Sequence, residues 1–170
     1  MKVIIVGKSP DWTLAPQTGE VWGVNNICLK RDVSVVFNMH HMADLGSLTR
    51  KAIKMEDYAR NNKVPYVTLE ELPDIPTSVR YPIEKMHSHY FNNSIAYMIA
   101  YAVHKGATVI DIYGVQMAAD AEYREQRPCC EYWIGYARGK GVEVNIHWMT
   151  TLFHLPGDIM YGYEKKSEDL

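Results

Sequence analysis

The sequence lacks an excess of positive charge: 18 Lys and Arg stand against 20 Asp and Glu, for a formal charge of -2. A protein that grips a duplex by its phosphates needs a basic face, and no run of basic residues supplies one, so no duplex nucleic-acid partner is expected. Long apolar runs are missing too. No stretch approaches the roughly 18 to 20 residues that span a bilayer, and the first strand-like run starts directly after Met1, leaving no room for a secretory leader. The expectation is a cytoplasmic protein with no membrane partner. Cysteine is scarce: Cys28, Cys129 and Cys130 are an odd number without zinc-ribbon spacing, as fits a reducing compartment, and the adjacent pair reads as packing at a helix start. Ready-made nucleotide signatures are absent as well. There is no G-x-G-x-x-G, and Gly7-Lys8-Ser9 lacks the upstream glycine that a P-loop requires.

What the chain does hold is 170 residues, enough for one domain with a sizeable core. Val3 to Val6 is a short continuous apolar run closed by Gly7, the pattern of a strand buried on both faces. Val21 to Val24, Val33 to Phe37 and Val64 to Val67 read as further strands. Leu48, Ala52, Met55 and Ala59 follow helical spacing, which predicts a surface helix to Asn61. Pro73, Pro76 and Pro82 then break up regular structure to about residue 85, and a long irregular segment of this kind reads as a binding loop or lid. Ile95, Met98, Ile99, Ala102 and Val103 predict a helix that Gly106 stops, and Val109 to Tyr113 predicts a strand. Pro128 suits the first position of a helix whose buried stripe is Cys130, Trp133, Ile134 and Ala137, and Val142 to Ile146 is the last predicted strand. Helix and strand in alternation predict an α/β class: a single-domain, Rossmann-like, mostly parallel sheet with helices on both faces, over residues 1–155, followed by a polar tail at 156–170.

Polar residues gather where the predicted strands stop: Gly7-Lys8-Ser9-Pro10, Asn25-Asn26, Asn38-Met39-His40-His41, and Gly114-Val115-Gln116. In a parallel sheet these points share one edge, the edge at which open α/β sheets bind ligands. A helix that leads into a strand starts at that edge, so the cap at Asn93-Ser94 and the helix start near Pro128 face the same cleft, where unpaired N–H groups attract phosphate. A small-molecule nucleotide is the predicted partner. His40 and His41 are neighbours that point to opposite faces, and His87 and His89 have no carboxylate or cysteine companion, so no metal site is predicted. An imidazole at the cleft serves better as a proton acceptor or phosphate donor. Tyr123 and Arg127, in the charged segment ahead of Pro128, are candidates to stabilise a departing phosphate; the other reading of that segment is a solvated loop with surface ion pairs.

The run Lys2 to Pro10, then Asn25-Asn26, Phe37-Asn38, Asn93-Ser94 through Ala102, and Gly106 to Val115, is similar to two related groups. One is the bacterial sialyltransferases that use a cytidine monophosphate sugar; the other is the hydroxymethylpterin pyrophosphokinase group. The whole chain also resembles small bacteriophage proteins without an assigned activity, most closely over Gly114 to Tyr132. The resemblance implies a Rossmann-like core in which Gly7, Ser9 and Pro10 form the phosphate-side loop, Asn25 and Asn38 contact the nucleotide, and Ser94 faces the ligand. It further implies that Tyr123 assists the leaving phosphate and that His40 or His147 deprotonates the acceptor. Lys8 and Gln116 depart from the pattern, which has a glycine and an aspartate at the corresponding places.

The leading expectation is therefore a nucleotide-binding transferase, glycosyltransferase-like, using a nucleotide-sugar donor. Gly7, Lys8, Ser9, Pro10, Asn25, Asn26, Asn38, Asn93, Ser94, Gly114 and Gln116 would hold the nucleotide, and His40, Tyr123, Arg127 and His147 would carry the chemistry. One alternative is a non-catalytic nucleotide-binding or host-interaction module of a phage. Another is a pyrophosphokinase, which would need Mg²⁺ to neutralise a triphosphate. Twelve tyrosines and four tryptophans leave room for an aromatic self-association surface, so a homodimer is a further expectation.

Overall fold

The first apolar run forms the middle of the sheet. In the computed structural model, β1 (Lys2–Val6) pairs with β2 (Val21–Val24) on one side and with β6 (Val109–Tyr113) on the other. Beyond β2 lie β3 (Val35–Asn38), β4 (Tyr66–Thr68) and β5 (Ser78–Arg80); beyond β6 lies β7 (Glu143–Ile146). The order is β5-β4-β3-β2-β1-β6-β7 and every pairing is parallel. The structure describes residues 1–40, 49–117, 121–147, 150–153 and 160–162, with the backbone alone for 49–52 and 121–123.

Side chains alternate across the sheet with period two, so a strand with apolar residues at every position is covered on both faces. Val3, Ile5, Trp22, Val24, Phe37, Ile110 and Ile112 pack under α2 (Ser94–His104) and α3 (Ala121–Gly139). Ile4, Val6, Val21, Val36 and Tyr66 face the other way, against Met55 and Ala59 of α1 (Thr49–Asn62) and a short 3₁₀ turn at Asn25–Leu29. Helices therefore cover both faces, as the alternation predicts. On the α1 face the β6–β7 end is polar. There Asp111, only 3 % exposed, accepts from Lys2 Nζ at 2.7 Å and from Asn145 Nδ2 at 3.1 Å.

Several boundaries differ from the sequence reading, among them the fourth strand, which begins at Tyr66 where the sequence predicts Val64. The third strand begins at Val35, where the sequence predicts Val33, with Ser34 N–H donating to Val21 O of β2 at 2.7 Å just ahead of it. The segment after Leu72 is not irregular throughout: Ser78–Arg80 forms the sheet's outermost strand, with a 3₁₀ turn at Ile83–Lys85 behind it. Proline tolerates an edge position, and Pro76 and Pro82 stop short of the paired residues. The largest difference is α3, which starts at Ala121, so Pro128 lies inside the helix. Proline breaks the ladder where it sits. Around that break Asn92 Nδ2 donates to Glu125 O at 2.8 Å and Asn93 Nδ2 to Gln126 O at 3.1 Å, giving carbonyls of the disturbed turn outside partners. The boundary drawn between residues 155 and 156, like most of the tail, falls outside the described residues. No helix among the described residues is long and apolar enough to cross a membrane.

Candidate functional site

The chain steps outward from β1 through β2 to β5, then returns to β1's other side with β6. The loops leaving β1 and β6 are thus the pair between which an open α/β sheet forms its ligand crevice. Here they are laced together. Gly7 N–H donates to Tyr113 O at 2.8 Å, Ser9 N–H to Gly114 O at 2.9 Å, and Gln116 N–H to Ser9 Oγ at 3.1 Å. The buried Asp11 carboxylate, at the start of a 3₁₀ turn (Pro10–Leu14), accepts from Gly114 N–H at 3.1 Å. Only glycine fits at position 7: an added Cβ would lie 2.9 Å from the Gly114 carbonyl carbon and from Val115 Cγ2. Gly114 has φ +68°, the left-handed region in which a Cβ is strained.

Above this junction opens a cavity of about 660 Å³, within the range of small-molecule sites. Gly7, Lys8 and Ser9 form one wall, Val24, Asn25, Met39, His40 and Leu69 continue it along the strand ends, and Gly114 to Met117 close the far side. Phe91 to Ile95 and Tyr97 supply the roof at the start of α2, with Gln126 from α3. Asn93 caps α2 by accepting from Ala96 N–H at 2.9 Å, which leaves the Ser94 and Ile95 N–H groups as the helix's unpaired donors at the cavity. Asn25 takes φ +49°, a left-handed conformation that asparagine tolerates better than most residues. Its Nδ2 lies 3.3 Å from His40 Nε2, and since an amide nitrogen only donates, Nε2 accepts. Among the described lining residues Lys8 is the one cation, and there is no Asp or Glu. The described residues contain no cluster of three or more His, Cys, Asp or Glu of the kind that holds a metal ion.

The structure brings Gly7, Lys8, Ser9, Asn25, His40, Asn93, Ser94, Gly114 and Gln116 to this one cavity. Other residues marked by the sequence lie elsewhere. Pro10 opens the 3₁₀ turn and is exposed, and Asn26 lies in the second 3₁₀ turn. Asn38 is 1 % exposed and donates to the Tyr66 hydroxyl at 2.8 Å; burial pushes that phenol up to about 12, so it stays neutral. Arg127 lies on α3, where its Nε donates to Glu131 Oε1 at 2.7 Å. His147 follows β7 and stacks on Tyr113, with centroids 4.2 Å apart and 4° between planes. Its Nε2 is 3.3 Å from Asp111 Oδ1, on the α1 face of the sheet and outside the cavity lining. The Tyr123 side chain and His41 lie outside the described residues.

No protein-family model and no curated protein sequence matches the chain. Solved structures do. A point mutant of the α-2,3/8-sialyltransferase CstII superposes with a TM-score of 0.53 at 12% identity, covering 86% of this chain and 81% of that one. CstII in complex with a trisaccharide acceptor and CMP gives the same score and identity, over 86% and 80%. The chain shares the fold of a sialyltransferase. At this identity the likeness speaks to architecture, and the residues of the cavity must carry any functional reading themselves.

Several of those residues gave no signal in the sequence. Leu69, Phe91 and Tyr97 reach the cavity only through the fold, and Asp11 stands outside its lining, holding Gly114 N–H. Phe91 and Tyr97 fall outside the helical stripe of Ile95, Met98, Ile99, Ala102 and Val103, and a lone acid after Pro10 has no pattern that marks it. A second concavity of about 700 Å³ lies near Trp12, Lys30 and Tyr58. Its buried cation, Arg31, is spent on the carbonyls of Trp12, Ala15 and Pro16, which makes it a brace for that loop.

Proposed function

We propose that the chain binds a nucleoside monophosphate group and transfers the sugar attached to it, as a small glycosyltransferase-like enzyme. One observation carries this reading: the cavity at the sheet's reversal point combines glycine backbone, the start of α2 and one lysine, with no carboxylate in its described lining. A single phosphodiester charge suits one cation and two helix N–H groups. A di- or triphosphate held through Mg²⁺ would call for acidic ligands, which the described lining lacks. The fold shared with CstII, whose complex contains CMP, points the same way. The Ser9 hydroxyl and the N–H groups of Ser94 and Ile95 would donate to the phosphate, Gly7, whose N–H is held by Tyr113 O, would leave room for it, and Lys8 would stabilise it as it leaves. His40 is the imidazole available to a hydroxyl of the ligand.

Thermal titration with CMP, UMP, UDP and ATP, with and without EDTA, tests this. A nucleoside monophosphate at 100 times its Kd should stabilise the chain by about 2.7 kcal/mol, and EDTA should not change the shift. No shift with any nucleotide would sink the proposal. A second reading, a non-catalytic nucleotide-binding module, is favoured by Arg127 and His147 lying outside the cavity lining. Tight binding of CMP together with an intact cytidine monophosphate sugar after long incubation with acceptors would decide for it.

A further inference from the structure

The cavity is not uniform along its length. Its floor is drawn from the ends of β6, β1, β2, β3 and β4, five neighbouring strands, so at roughly 4.8 Å per strand the cleft runs about 19 Å along the sheet edge. At the β1–β6 end the wall is backbone and polar, with Lys8, Ser9 and Gln116, and Ser94 at the start of α2 belongs to the roof. At the β3–β4 end it is Met39, Leu69 and Tyr97. Tyr97 is held by a stack of rings: Phe91, which also lines the cavity, stacks on it with centroids 4.2 Å apart at 13°, and Trp133 stacks on Phe91 at 4.8 Å and 11°. The Tyr81 hydroxyl donates to Tyr97 O at 3.1 Å. A wall braced by packed rings loses little freedom when a flat group settles on it. Between the two ends sit Asn25 and His40. A nucleoside monophosphate has the same succession along its own length: a flat heterocycle, a ring bearing hydroxyls, then an anion.

We infer that the ligand lies in one direction along this cleft, with its base against Met39, Leu69 and Tyr97, its ribose beside Asn25 and His40, and its phosphate at Lys8, Ser9 and Ser94. This rests on the nucleotide reading above and adds to it the direction of the ligand and the subsite for the base. The transferred sugar then lies toward the β6 loop and α3, where Gln116 and Gln126 line the wall, and His40 addresses a ribose hydroxyl.

Calorimetric titration of the full chain with CMP and with ribose 5-phosphate tests the direction. Leu69→Asn, at a half-buried position, should weaken CMP about five- to tenfold and leave ribose 5-phosphate unchanged, since losing the apolar contact of a base with a leucine side chain is an effect of that size. Lys8→Ala, at an exposed position, should weaken both. Equal weakening of both probes by Leu69→Asn, or of neither, overturns the inference. The unaltered protein gives a second readout: the Met39 methyl resonance should shift at saturating CMP and stay in place with ribose 5-phosphate. A Met39 signal that ignores bound CMP also overturns the inference. Failure of both probes to bind removes the nucleotide reading itself, and the orientation with it.

Discussion

At Gly7 the loops from the two halves of the sheet touch backbone to backbone, so one hydrogen atom in place of a methyl group decides whether the crevice can form. Gly7→Ala forces the Gly114 carbonyl and Val115 to move, and overpacking of this kind costs about 2 to 3 kcal/mol. Equilibrium urea unfolding should show that loss, and nucleotide binding should fall with it, because Ser9 N–H and Gly114 O lose their register. Gly7, Asn25 and Gly114 were legible in the sequence because each ends an apolar run, and a parallel sheet brings run ends together. Asn38 ends such a run too, yet alternation turns it into the core toward Tyr66. Position along a strand is visible in a sequence; which of two faces meets a ligand depends on what covers each face.

Elements were easier to read in the middle than at their ends. The stripe Cys130, Trp133, Ile134 and Ala137 is buried under α3 as its spacing predicts, while the start of that helix was misplaced by seven residues, from Ala121 to Pro128. Proline at a helix start and proline inside a helix look alike in one sequence. What separates them here is the pair Asn92 and Asn93, which supplies donors to the disturbed turn from another element. Trp133 completes this α2–α3 joint: it is 1 % exposed, stacks on Phe91 and donates its Nε1–H to Tyr90 O at 2.8 Å. Trp133→Ala should cost about 3 to 5 kcal/mol in chemical denaturation, the range for emptying a large aromatic site. It should also loosen the roof of the cavity, since Phe91 loses one of its stacked rings.

Across the whole molecule, the polar end of the sheet ties stability to acidity. Burial opposes the charge on Asp111, but hydrogen bonds from Lys2, Asn145 and His147, with the charge of Lys2, outweigh it and hold the carboxyl below its ordinary 3.8. A group depressed in the folded state contributes stability above its unfolded pKa, and that contribution disappears as pH falls through the lower folded value. The urea midpoint should therefore drop on acidification below about pH 4, and Asp111→Asn should make that drop shallower. An identical acid profile in the variant would show that other carboxylates govern it. The α/β class and the sheet edge that carries the site were legible because strands and helices alternate, whereas the β5 edge strand was hidden among prolines that usually mark loops.

An all-parallel sheet contains no hairpins, so each strand must wait for a crossover before it meets a neighbour. β1, first in the sheet by sequence, pairs on one side with a strand that begins only at Val109. Such distant pairing is slow to form. On a ribosome, residues through Tyr113 must leave the tunnel before β1 can gain its second partner, and any growing chain that stops short of Gly114 has half a cleft and nothing to close it.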